Sequence, residues 1–468
     1  MHYTAEDLEV VLGRMKLPFK PMELQKEDAV TAANSDRFAL LYEVGGGKTL
    51  VSTMTALLWP DTHTIVTCPP ILLPQWEAWL HSVREKDVSI YAGPKRTLQM
   101  LSHRWVLMSH AIFRDSAADI LAYYKGRKMN LIVDEGQVCK NPQSVFFKTM
   151  SRLILPDRKV LLLTATPTSK PQDTYAYMKV KTPTLYRSYG HWKNLHVEQE
   201  DIFGAITRYK NVELLADNFA LQSVTRDKKE LFGDDLGAIY QPMLYDLAPK
   251  HLKLYNKLAE EQLLLLENGE KIDATSATRL YHALQQIVIN YARFSGAEGD
   301  KSTGLDLMDE IISQVDPMDK SKSKFIVWTY YRNTSALVLD YLQKQFGQQA
   351  VVAAYGGVDS AKSVKSIMFD DNCRILVAQP SSVGVGLNLQ HNTSECLFLE
   401  QSTVPSQTIQ SVGRIARMGQ KIKPTIRFAQ ARGTIQLKLF QDLLSKADLV
   451  AQVERVRTSL REDIFGKA

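Results

Sequence analysis

Phe38-Ala39-Leu40-Leu41-Tyr42-Glu43-Val44-Gly45-Gly46-Gly47-Lys48-Thr49 reads as a buried strand running into a glycine loop, and Leu50-Val51-Ser52-Thr53-Met54 beyond it has helical potential. A glycine run between a strand and a helix lets backbone N–H groups close around the phosphates of a nucleotide. In such a loop the lysine meets the β- and γ-phosphates and the hydroxyl of the next residue ligates Mg2+. Gly45, Gly46, Gly47, Lys48 and Thr49 are therefore the expected nucleotide-binding residues, with ATP and Mg2+ as cofactors. One departure stands out: Tyr42 occupies the position where the first glycine of the pattern is usual. The competing reading is a glycine-rich turn with a surface lysine.

Working outward, short apolar runs alternate with longer helical stretches. They are Thr64–Cys68, Val106–Met108, Leu131–Val133 and Val160–Leu163 in the first half, and Phe325–Trp328, Val351–Ala354, Ile375–Ala378, Cys396–Leu399 and Ile426–Ala429 in the second. Continuous apolar strands separated by helices predict α/β architecture with parallel sheets covered on both faces. Ligand chemistry then belongs just beyond the C-terminal ends of the strands. Between the two strand sets, roughly residues 174–324 are helical in pattern, notably Pro249–Leu266 and Ala274–Tyr291. Linkers are expected at Gly233–Gly237 and at Asp316–Lys324. The predicted division is a lobe over 1–240, a helical insertion over 241–320 and a second lobe over 321–468.

Polar motifs follow several of these strands. Leu131-Ile132-Val133-Asp134-Glu135 ends in two carboxylates, one suited to hold hydrated Mg2+ and the next to polarise an attacking water. Thr164 and Thr166 follow Leu163 and could report the presence of a γ-phosphate, although a helix N-cap before Pro167 is the commoner meaning. Helical spacing would place Gln410, Arg414 and Arg417 on one face. No acidic residue occurs between Gln401 and Arg432, which favours a phosphate partner for the two guanidiniums.

Composition sets the outer bounds. The chain has 468 residues, 45% of them hydrophobic, enough for two or three domains. A net charge of +6 is weak evidence for a polyanionic partner. The basic groups Lys125/Arg127/Lys128, Arg226/Lys228/Lys229, Lys320/Lys322/Lys324 and Lys421/Lys423 read first as solvated faces. Four cysteines, Cys68, Cys139, Cys373 and Cys396, lack metal-ligand spacing and suggest a reduced compartment. No apolar run is long enough to span a bilayer, and MHYTAEDLEV lacks a signal-peptide pattern. The expectation is a monomer without a membrane partner, in the cytoplasm, or in the nucleus if the source is eukaryotic.

Taken together, the motifs resemble the SWI/SNF-type branch of the superfamily 2 helicase-like ATPases over nearly the full chain. PMELQKEDAV is similar to the opening segment, YEVGGGKT to motif I, CPPILLPQWEAWL to motif Ia and VLMSH to motif Ib. DEGQVCKN resembles motif II, LLLTATPTSKP motif III, FIVWTYY motif IV, SSVGVGLNLQ motif V and QSVGRIARMGQ motif VI. The resemblance implies two RecA-like lobes in tandem and a composite ATP site. Lys48, Asp134, Glu135, Arg414 and Arg417 would be catalytic, the arginines as fingers. Gln25 would read adenine, and Gly386 and Gln410 would help to hold the nucleotide. It also implies that Pro70, Gln75, Ser109, Gly384 and Asn388 contact a nucleic-acid backbone without reading bases, and that Gln137, Thr164 and Thr166 couple hydrolysis to that contact. Gln137 stands where the family commonly has histidine, and Gly413 replaces an acidic residue common in the branch.

The leading expectation is an ATP-driven translocase on DNA, duplex rather than single-stranded. Alternatives are a strand-separating or fork-remodelling helicase and an ATP-switched DNA- or partner-binding regulator. A protein partner would supply targeting. The aromatic stretch from Tyr175 through Tyr186, Tyr189 and Trp192 could stack bases, but core packing is the expected role.

Overall fold

The computed structural model describes residues 2–59, 62–156, 158–202, 204–232, 238–267, 274–295, 301–383, 389–402, 404–416 and 420–454. The chain divides into two compact units, the first built mainly from residues 1–235 and the second mainly from 236–448. No helix among the described residues is long and apolar enough to cross a membrane.

The strands of the first unit are β1 (Arg37–Tyr42), β2 (His63–Cys68), β3 (Val88–Ile90), β4 (Trp105–Ser109), β5 (Met129–Asp134), β6 (Val160–Leu163), β7 (Val197–Glu200), β8 (Ile206–Tyr209) and β9 (Ser223–Arg226). Seven form one sheet in the order β3-β4-β2-β5-β6-β1-β9, and all its pairings are parallel. β4 and β5 are buried at every position, as continuous apolar strands covered on both faces should be. β7 and β8 make a separate antiparallel hairpin. The core includes Val106, Val133, Leu162, Tyr175, Tyr186 and Trp192, so most of the aromatic stretch is packing. Tyr189, by contrast, is exposed and stacks on Trp192 at 5.5 Å.

The second unit contains β10 (Ile239–Tyr245), β11 (Lys324–Trp328), β12 (Val351–Ala354), β13 (Ile375–Ala378), β14 (Thr393–Phe398) and β15 (Thr425–Ala431). They form a parallel sheet in the order β10-β15-β14-β11-β13-β12. Residues 241–320, read from the sequence as a helical insertion, contribute directly to this unit. β10 pairs along its whole length with β15, and Leu284, Ile287, Val288, Met308 and Ile311 share one core with Phe325 and Val327. The linker expected at Gly233–Gly237 lies outside the described residues.

Five strands are not marked by an apolar run in the sequence: β7 and β8 of the separate hairpin, and β3, β9 and β10, each of which lies at the edge of its sheet. Edge strands are covered on fewer sides, so they need no continuous apolar run. Pro242 lies within β10, a place that an edge strand tolerates because one side of its ladder is unpaired. The basic-group reading also changes at two positions. Lys324 is buried, with Nζ donating to the carbonyls of Ile367 (2.9 Å) and Asp370 (2.7 Å). Arg226 is engaged in an ion pair rather than solvated.

Candidate functional site

In the first sheet the strands are parallel and their C-terminal ends lie level. Asp134 of β5 is opposite Leu163 of β6, Leu163 is opposite Leu40 of β1, and Cys68 of β2 is opposite Ser109 of β4. The glycine loop, the acid pair, Thr164 and the segment after Cys68 consequently emerge at one edge.

The loop turns through two left-handed glycines, Gly45 at φ +88° and Gly47 at φ +92°. A Cβ on Gly47 would stand 2.6 Å from Gln25 Nε2 and would displace that amide, and the left-handed backbone itself disfavours any side chain there. Gln25, itself buried, donates from Nε2 to the Gly46 carbonyl (3.0 Å) and accepts the Met22 N–H at Oε1 (3.0 Å). The helix Lys48–Leu58 starts directly after Gly47, which leaves its first amides to face the loop. Lys48 Nζ donates to the carbonyls of Tyr42 (2.8 Å) and Glu43 (3.2 Å). The Thr49 carbonyl accepts the hydroxyls of Ser52 and Thr53.

Tyr42, the departure from the glycine pattern, is fully buried and has a dedicated partner. Its hydroxyl donates to Asp28 Oδ2 (2.5 Å), and Arg226 of β9 clamps the same carboxylate through Nε and Nη2, both at 2.8 Å. Burial, and then the Asp28 charge, hold the Tyr42 phenol well above its usual range, so it stays a donor. Asp28 lies three residues after Gln25 on the helix Glu23–Ala33, so one helix is tied to the loop at both points.

Asp134 is buried, and both its oxygens have donors: Trp76 Nε1 to Oδ2 (2.8 Å) and the Glu135 N–H to Oδ1 (2.9 Å). Burial, and then the neighbouring Glu135 charge, push the Asp134 carboxyl up to about 6, against the pull of the Trp76 indole and Lys48. Glu135 has left-handed backbone angles, φ 54° and ψ 55°, an uncommon conformation for a residue with a side chain. From it runs a chain of hydrogen bonds. Gln137 Nε2 donates to Glu135 Oε2 (2.7 Å), Thr164 Oγ1 donates to Gln137 Oε1 (2.9 Å), and the Thr166 N–H donates to Thr164 Oγ1 (3.1 Å). The Gln137 side chain thus serves as donor at one end and acceptor at the other, and neither contact requires it to be a cation.

Of the expected nucleic-acid contacts, Pro70 and Gln75 are exposed, whereas Ser109 is buried and its Oγ accepts the Ile112 N–H (3.2 Å) as a helix cap. Gly384, Gly386, Asn388 and Arg417 lie outside the described residues. In the second unit, Gln410 is on the helix Pro405–Val412, which ends at Gly413. Arg414 is therefore in the following turn rather than on that helix face; it is buried, and its carbonyl accepts the Leu389 N–H (3.2 Å). Asp28 and Trp76 were not singled out in the sequence, and Arg226 was read there only as part of a solvated basic group. Their partners are remote along the chain, so no local pattern marks them.

The donor set suits a nucleoside triphosphate and a hydrated divalent ion. It offers a cradle that a Cβ at Gly47 would fill, a lysine, a hydroxyl and one carboxylate, and Mg2+ commonly takes one or two carboxylates plus phosphate oxygens. Among the described residues no cluster of three His, Cys, Asp or Glu could hold a metal by itself.

The SNF2-related domain matches residues 23–290, more than half of the chain. The chain belongs to the SNF2-related family. It is 21% identical over 469 residues to the SWI/SNF-related matrix-associated actin-dependent regulator of chromatin subfamily A-like protein 1 of Xenopus laevis, covering 96% of this chain and 45% of the relative. To the human DNA repair and recombination protein RAD54B it is 22% identical, covering 89% of this chain and 52% of the relative. The chain spans about half the length of these relatives. Among solved structures, the Pyrococcus furiosus Hef helicase domain matches with a TM-score of 0.55 at 16% identity, covering 90% of this chain and 97% of that one. That likeness supports the tandem parallel α/β fold. The Sulfolobus solfataricus SWI2/SNF2 ATPase core in complex with dsDNA matches at 18% identity and a TM-score of 0.42, covering 97% of this chain and 99% of that one.

Proposed function

We propose that the protein is a DNA-dependent ATPase that moves along duplex DNA without strong sequence preference. The observation that carries this reading is the hydrogen-bonded line from Glu135 through Gln137 to Thr164 and Thr166, beside a glycine loop, in a chain of the SNF2-related family. A simple nucleotide-binding switch has no need of a positioned carboxylate relayed to the next strand end.

When bound, ATP with Mg2+ supplies the phosphoanhydride whose hydrolysis drives movement. In the proposal Gly45, Gly46, Gly47 and Lys48 hold phosphate, and Thr49 and Asp134 hold the hydrated ion. Glu135 has Oε2 held by Gln137, leaving Oε1 to take the proton of the attacking water. Gln25 is proposed to sense the adenine through the loop that it already contacts. Gly386 and Gln410 are proposed to help hold the nucleotide, and Arg414 and Arg417 to offset developing negative charge. Pro70, Gln75, Ser109, Gly384 and Asn388 are assigned to the nucleic-acid backbone, with Ser109 acting through the helix it caps. Contacts of that kind give salt-dependent binding without base readout.

The test is ATPase rate with no nucleic acid, single-stranded DNA, duplex DNA and RNA, together with triplex displacement. Duplex DNA should stimulate most. Lys48→Ala should abolish turnover, and Arg417→Ala should abolish turnover while nucleotide binding survives. Wild-type rates in either variant would overturn the site assignment. Unwinding of a forked duplex would replace translocation by strand separation.

A further inference from the structure

The helix Leu73–Ser82 follows β2 at the edge of the sheet where the glycine loop and the acid pair emerge. Two tryptophans three residues apart share its inner side, and both indole N–H groups reach polar atoms of the candidate ATP site. Trp76, buried, donates to Asp134 Oδ2 at 2.8 Å. Trp79 donates to Thr53 Oγ1 at 3.0 Å, and that hydroxyl donates to the Thr49 carbonyl at 2.7 Å. One short helix is thereby tied both to the strand end that carries the acid pair and to the first turn of the helix that follows the glycine loop. Its outer side is different in kind: Pro74, Gln75 and Ala78 are exposed, as is Pro70 just before it.

We infer that Trp76 and Trp79 are positioning residues that pass the state of the exposed Pro70–Gln75 turn to Asp134 and Thr49. The inference rests on the reading above, in which a DNA backbone is what that turn meets. A buried indole N–H needs a partner, and a main-chain carbonyl would satisfy it, as the Ala33 carbonyl does for Trp59. Here both partners are side chains, and one is the carboxylate assigned to the metal. A carboxylate oxygen held by a neutral donor turns when that donor turns. A shift of the helix by part of an ångström therefore re-aims Asp134 Oδ2, and through Trp79 and Thr53 it presses on the main chain at Thr49. Phenylalanine would retain most of the ring packing at either position and lose only the donor, which makes the two functions separable.

The experiment uses the full chain labelled with 5-fluorotryptophan, with resonances assigned by Trp76→Phe and Trp79→Phe. Duplex DNA without nucleotide should move both the Trp76 and the Trp79 fluorine signals, and Mg·ADP without DNA should move both as well. In steady state, Trp76→Phe should lower the DNA-stimulated rate relative to the basal rate by about tenfold, the size expected for one hydrogen bond to a charged group. Its duplex affinity, read by fluorescence anisotropy, should stay within about twofold of wild type. Three results would overturn the inference. The first is fluorine signals that ignore DNA although anisotropy shows it bound. The second is an equal fall in basal and stimulated rates, which would make the indole a mere support for Asp134. The third is full stimulation in the doubly substituted chain. Absence of duplex binding by the wild-type chain would instead refute the DNA reading itself, and the inference would fall with it.

Discussion

Replacing Arg226 by methionine tests how a tyrosine can stand at the head of this glycine loop. The substitution keeps the aliphatic stem and removes both guanidinium donors from Asp28, a carboxylate whose side chain is 6% exposed. Breaking a buried pair from one side costs about 3–5 kcal/mol. The Arg226 side chain is 20% exposed and Tyr42 still donates to Oδ2, which argues for the lower end, about 3 kcal/mol. For a unit of this size that lowers the unfolding midpoint by roughly 6–12 °C. Calorimetry on the full chain should show the earlier melting, and a fluorescent-nucleotide titration should show weakened binding, since β9 and Tyr42 flank the loop. Adding Asp28→Asn should recover most of the lost stability, because it removes the stranded charge. An unshifted midpoint in Arg226→Met, or an Asp28→Asn, Arg226→Met chain less stable than either single variant, would refute the argument that this cluster holds the loop.

Two further expectations follow from buried polar groups. Gln137→Leu removes the donor to Glu135 and the acceptor of Thr164, so turnover should drop about ten- to a hundredfold with nucleotide affinity nearly unchanged. Gln137→His should restore much of it, since a neutral imidazole also offers one donor and one acceptor, and equal rates in the leucine and wild-type chains would sink the relay. Glu400, buried, accepts the N–H groups of Tyr330 and Tyr331 and the Thr334 hydroxyl, yet burial outweighs these and pushes its carboxyl from the ordinary 4.5 up to about 7. Between those values the folded chain holds a proton that the unfolded chain has lost, so stability should fall as pH rises through that window and level off above it. Glu400→Gln should flatten that part of the midpoint-versus-pH curve, and an unchanged slope would contradict the assignment.

Much of the candidate site was legible because its signals are local. A strand such as Leu131–Val133 is apolar without interruption because both its faces are covered, and the acids that follow it can only emerge at the strand's end. The left-handed glycines are likewise announced by residue type. Where the reading failed, the local signal was diluted. β9 and β10 are edge strands, one short and polar, the other carrying Pro242, and the region around them looked helical or irregular. The helix bearing Gln410 stops at Gly413 one residue before Arg414, a boundary that periodicity alone does not mark.

By itself the sequence determined the family, the two parallel sheets and the residue types gathered at the candidate site, since these follow from strand period, loop chemistry and motif order. Only the tertiary structure decided which polar groups meet. Trp76 reaches Asp134 across 58 positions, Arg226 reaches Asp28 across 198, and β10 joins β15 from the far side of what had looked like an insertion. The physical reason is that a side chain's character is written at its own position, whereas the partner of a buried donor or charge is set by the path of the chain around it.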